Sequence, residues 1–91
     1  MDNLKIKEVG ILIKELYNSP DGSVGGYGHI VFDDGNIEDE TIQWCIEEAK
    51  KGQYPYLEDT RIASLNALNA MLLLTEEERE EAFDYYWREL R

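Results

Sequence analysis

Gly25-Gly26-Tyr27-Gly28-His29-Ile30-Val31-Phe32-Asp33-Asp34-Gly35-Asn36 is the segment on which the fold class turns. Read at a period of two, residues 26–32 form a short strand. Ile30 and Phe32 share one face with Gly26 and Gly28, and Tyr27, His29 and Val31 take the other. Glycine weakens a strand, so three glycines within four residues imply a bend or a close approach to the backbone. Asp34-Gly35 is a hairpin-type turn signal, yet no second strand follows it. Strand amides and carbonyls need partners. They are expected from residues 4–7, from the 22–25 arm, or from the same strand of a second copy. The last option, together with a thin core, predicts a homodimer.

Around this segment the pattern is helical. Val9, Leu12, Ile13, Leu16 and Tyr17 recur at helical spacing and predict a helix over residues 3–17, with Leu4 to Lys7 able to start extended. Asn18-Ser19-Pro20-Asp21-Gly22-Ser23 ends it. A second helix is expected from Ile37 to Lys51, N-capped by Asn36, with acids in its first turn, lysines in its last and Gly52 as the stop. Ile42, Cys45, Ile46 and Ala49 form its apolar stripe. A third helix runs from Thr60 to Leu74, with Ile62, Leu65, Leu68, Met71 and Leu72 as its stripe. Thr75 and Glu78 make a Thr-x-x-Glu capping box that starts a fourth, whose stripe is Ala82, Phe83, Tyr86, Trp87 and Leu90. The expected fold is α+β and mostly helical: an N-terminal helix, one short β-strand, then three helices.

Ninety-one residues suit a single domain, 1–91, with a thin core. The longest apolar run, Ala70 to Leu74, is too short to span a bilayer, and Met1-Asp2-Asn3 does not open a secretory signal, so a cytoplasmic protein is expected. A lone Cys45 agrees with a reducing compartment. The formal net charge is -11, from nine basic and twenty acidic residues. The acids cluster in 33–48 and 76–81. Direct contact with nucleic-acid phosphates or anionic membrane is disfavoured, because there is no basic patch to release counterions. A basic protein surface is the complementary partner, although acidity also serves solubility alone.

Candidate chemistry gathers around His29. A Cys45–His29 nucleophile pair is conceivable, but Cys45 lies on an apolar helical stripe, where thiols are usually inert. Asp33, Asp34, Asn36, Glu38 and Asp39 offer oxygen ligands but miss the EF-hand spacing, and a turn plus a helix cap explains most of them. No metal and no cofactor are expected, and zinc least of all. Gly25, Gly26, Tyr27 and His29 could admit a ligand to the backbone, with Tyr27 and His29 stacking on a base. A flexible arm entering a strand explains the same residues. Tyr27, Trp44, Tyr54, Tyr56 and Tyr85 fall outside the main stripes and suit either an interface or the completion of the core.

The span Gly-Gly-x-x-His-Ile-Val-x-Asp-Asp-Gly-Asn-x-Glu-Asp over 25–39, continued by Trp44, Cys45 and Ile46, resembles a signature of small uncharacterised proteins of bacteriophages and prophages. The resemblance implies a phage or prophage origin. By analogy of class it implies a host-defence antagonist such as an anti-CRISPR protein or a sponge for nucleotide signals. The leading expectation is a non-enzymatic antagonist whose acidic surface occupies a basic, nucleic-acid-binding face of a host protein. Gly25, Gly26, Tyr27, His29, Asp33, Asp34, Asn36, Glu38 and Asp39 would be its binding residues, and Glu76, Glu77, Glu80 and Glu81 its acidic face. The alternatives are a sponge for a small nucleotide at Gly25–His29, or a small metal-assisted hydrolase using His29 with Asp33 or Asp34.

Overall fold

In the computed structural model, which describes residues 3–19, 28–51 and 58–91, every regular element is helical. α1 spans Asn3–Tyr17, α2 Gly28–Phe32, α3 Asp39–Lys50, α4 Glu58–Leu72 and α5 Glu76–Tyr85, and α5 continues into a π-helical turn, Tyr86–Leu90. The helices lie side by side in the order α3, α4, α1, α5, with α4 packed against both α3 and α1, and α2 against α3.

The expected strand is therefore corrected. Residues 28–32 are helical, and residues 26–27 lie outside the described residues. The backbone satisfies itself locally: the amides of Asp33 and Asp34 both donate to the His29 carbonyl. No sheet partner is needed, so the strand-to-strand basis for a homodimer falls with the strand. Gly35 does not turn a hairpin. It sits at φ 77°, and its amide donates to the Val31 carbonyl at 3.1 Å, which is the left-handed C-cap of a helix. The side chains agree. Adjacent Val31 and Phe32 are both buried and His29 is exposed, which strict alternation forbids.

The second expected helix also starts later. Glu38, at φ -70° and ψ 147°, occupies the N-cap of α3 and makes no side-chain cap bond. Asn36 instead turns back, its Nδ2 donating to the Ile30 carbonyl. The predicted stripe of this helix, Ile42, Cys45, Ile46 and Ala49, is buried as expected. α4 begins and ends two residues earlier than its pattern predicts. Its buried face is Thr60, Ser64, Ala67, Leu68 and Met71, while Ile62 stands 45% exposed. Small residues face inward because α4 is packed on two sides and close approach needs little side-chain volume. Thr75 caps α5 as the sequence predicts: its hydroxyl accepts from the Glu78 amide, and Glu78 accepts from the Thr75 amide.

α1 is helical from Asn3, with no extended start. Ile6, Val9, Ile13 and Leu16 join Ile42, Leu68, Met71, Ala82 and Tyr86 in one buried cluster. Gly10 lets α1 and α5 close on each other: a Cβ there would lie 2.6 Å from a ring atom of Tyr85. Tyr85 is thus a packing residue rather than a free aromatic. Gly10→Ala gains up to ~1 kcal/mol of helix propensity but overpacks the contact by roughly 1–3 kcal/mol. A net fall in the thermal midpoint is expected, and a rise would show that Tyr85 moves aside without cost.

Candidate functional site

The predicted site residues separate into two groups. Gly25, Gly26 and Tyr27 lie outside the described residues. His29, Asp33 and Asp34 come together at the end of α2. His29 Nδ1 lies 2.8 Å from Asp33 Oδ2, and Nε2 lies 3.5 Å from Asp34 Oδ2. From α1, the Tyr17 hydroxyl approaches Asp33 Oδ1 at 2.7 Å and the Phe32 carbonyl at 3.0 Å. Tyr17 in turn stacks on Tyr86, with centroids 5.2 Å apart, and meets the edge of Trp87. Arg91 lies over the Trp87 ring. α2 is thereby tied to the last residue of α1 and, through it, to the C-terminal turn.

The electrostatics follow the contacts. The hydrogen bond that His29 donates to Asp33, then the charge of Asp34, raise the His29 pKa above its ordinary value. Burial, followed by Asp33, pushes the Tyr17 phenol far above its usual range. Desolvation raises the Cys45 thiol, which keeps it in the poorly nucleophilic neutral form. Among the described residues, no group of three or more His, Cys, Asp and Glu side chains is arranged to hold a metal ion.

A histidine whose folded pKa is raised stabilises the fold fully below its unfolded value of 6.5. That contribution is lost as pH rises through the folded value. His29 should therefore titrate above 6.5 by NMR, and Asp33→Asn should lower its midpoint. A wild-type midpoint at or below 6.5 would show that the two aspartates do not hold the imidazolium.

Glu38 and Asp39 belong elsewhere. With Glu40, Leu72, Leu74, Thr75, Glu76 and Arg79 they line a groove of about 610 Å³. The groove lies where the start of α3 meets the end of α4 and the start of α5. The two acidic runs of the sequence, 33–48 and 76–81, meet here. Glu77 and Glu80 are exposed on α5, and half-buried Glu81 lines a shallow dish with Asp84, Tyr85, Arg88 and Glu89.

Arg79 is the residue that sequence reasoning missed. It stands among five glutamates, yet it is 1% exposed. Its Nε donates to the Met71 carbonyl and its Nη1 to the Ile37 carbonyl, both at 2.7 Å, and Nη2 pairs with Asp39. A cation at the end of α4 suits the helix dipole and the carbonyls left over there. A signal was present in the sequence: Arg79, Ala82, Phe83 and Tyr86 fall on one stripe at helical spacing.

Among the described residues, no helix is long and apolar enough to cross a membrane. No family model, curated protein or solved structure matches the chain.

Proposed function

We propose that this chain is a non-enzymatic, phage-type antagonist of a host defence protein, and that it lays its acidic surface over a basic, nucleic-acid-binding face of its target. The phage assignment rests on the resemblance of residues 25–39. The groove supports the mode of action. Glu38, Asp39 and Glu40 on one side and Glu76 on the other converge on it, around apolar Leu72 and Leu74. Among the described residues that line it, the one cation, Arg79, is already engaged by two carbonyls and Asp39. Such a groove attracts arginine and lysine side chains and repels phosphates. This favours a basic protein over a nucleotide ligand, whose capture would need cationic or amide donors facing the ligand.

The test is affinity capture from bacterial lysate with the wild-type chain and with Glu38→Lys/Glu40→Lys/Glu76→Lys. Asp39 is spared because it pairs with Arg79, and Glu89→Lys serves as a control outside the groove. The captured protein should bind nucleic acid and be displaced by it. Its retention should fall steeply with salt, be lost with the triple variant and survive the control. Equal capture by the triple variant, or binding indifferent to salt, would overturn the proposal.

A further inference from the structure

The outer face of α1 carries a second pattern, independent of the groove. Leu4 and Ile11, seven residues apart, stand above one another on that face and are 66% and 45% exposed. At about 100° per residue, Lys7 and Lys14 flank them on the edge that Gly10 turns toward α5. Glu8 and Glu15 flank them on the other edge. There Lys5, Glu8 and Leu12 line a small apolar crevice with Ala70 and exposed Leu73. Among the described residues, Lys7, Lys14, Glu8 and Glu15 join none of the ion pairs, which involve other residues.

The charges of the other helices make this face distinct. α1 holds three lysines against two glutamates. α3 holds four acids against Lys50, and α5 holds six acids against Arg79. Two copies of so acidic a chain repel across α3 or α5, and α1 is the described helix with a net positive charge.

We infer that α1 docks on α1 of a second copy, the two helices parallel, with Leu4 and Ile11 at the seam and the lysine edge of each facing the glutamate edge of the other. The direction follows from symmetry. A two-fold axis along the helices sets unlike edges opposite each other, so Lys7 and Lys14 meet the partner's Glu8 and Glu15. An axis across the helices sets lysine edge against lysine edge. It would also bring the two acidic α5 helices together, whereas the parallel pair puts each α5 beside the partner's α4. The lysine stems can cover the crevice at Leu12 and Leu73 while their ammonium groups reach the glutamates. Two fifteen-residue helices bury less than a standard interface, so the dimer is weak and fills at high concentration.

The experiment is sedimentation equilibrium of the full chain from about 10 µM to about 1 mM. Circular dichroism confirms that each variant folds. The wild-type chain should show a reversible monomer–dimer equilibrium. Ile11→Glu, Lys7→Glu/Lys14→Glu and Glu8→Lys/Glu15→Lys should each weaken association by ~10-fold or more. Mixing the last two variants should restore it, because every edge then meets its opposite. Leu4→Cys should cross-link to itself under oxidation. A strict monomer over the whole range overturns the inference, as does a dimer unaffected by these α1 variants. Preferential cross-linking of Leu4→Cys to Ile11→Cys in a mixture overturns the parallel arrangement. None of these outcomes depends on the acidic groove.

Discussion

Arg79→Ala is expected to cost ~3–5 kcal/mol of folding free energy, measured as a fall in the urea midpoint. The substitution removes the side-chain donor to the Ile37 carbonyl, one of the two donors to the Met71 carbonyl (the Leu74 amide is the other), and the buried stem. An unsatisfied buried carbonyl costs about 1–3 kcal/mol, and each lost buried methylene about 0.8 kcal/mol. Relief from burying a guanidinium offsets part of this. Arg79→Met, which keeps the stem and sheds the charge, should therefore be milder than Arg79→Ala. Asp39 is 68% exposed, so Arg79→Ala strands no buried carboxylate. Asp39→Asn takes the counter-charge from the buried guanidinium but leaves it bonded to the Ile37 and Met71 carbonyls, so it should cost less than Arg79→Ala. A domain of this length has on the order of 5–14 kcal/mol to lose, so Arg79→Ala removes a large share. If Asp39→Asn proves as damaging as Arg79→Ala, then the ion pair, not the carbonyl contacts, holds the start of α3 to the end of α4.

Phe32→Ala should cost roughly 3–5 kcal/mol. Phe32 is 3% exposed and meets the edge of Phe83 at 5.9 Å, so truncation opens a cavity between α2 and α5. Its neighbour supplies the sharper test. A strand would put Val31 on the face opposite Phe32, whereas in α2 both are buried and Val31 is 0% exposed. Val31→Ala should then cost at least about 1.5 kcal/mol, while His29→Ala, exposed and removing only a surface contact, should leave the urea midpoint nearly unchanged. Val31→Ala without effect, alongside a damaging Phe32→Ala, would return the segment to an alternating, strand-like arrangement.

The two candidate sites were legible to different degrees. His29, Asp33 and Asp34 were singled out from the sequence and do meet, because all three lie on one turn of chain. Their link to Tyr17 was not legible: the phenol reaches Asp33 across sixteen positions of sequence. The acidic runs could be counted, but nothing local showed that Glu38 to Glu40 would face Glu76 across one groove.

The sequence by itself determined the features that close within a turn or two. These are the Thr75–Glu78 capping box, the buried stripe of α3 and the helical course of α1. Each depends on contacts between residues three or four apart, which the order of side chains specifies directly. Only the tertiary structure decided the rest. Five residues, Gly28–Phe32, are too few for periodicity to separate a helix from a strand. What favours the helix is that Val31 and Phe32 can both be buried at once, with Gly35 closing the C-terminus. Arg79 lies in an acidic run, where a solvated charge is the ordinary expectation. It is buried because the Ile37 carbonyl, forty-two positions away, and the last turn of α4 converge on its guanidinium. That satisfaction exists only once the helices have packed, since a buried cation is tolerated only where its partners are already in place.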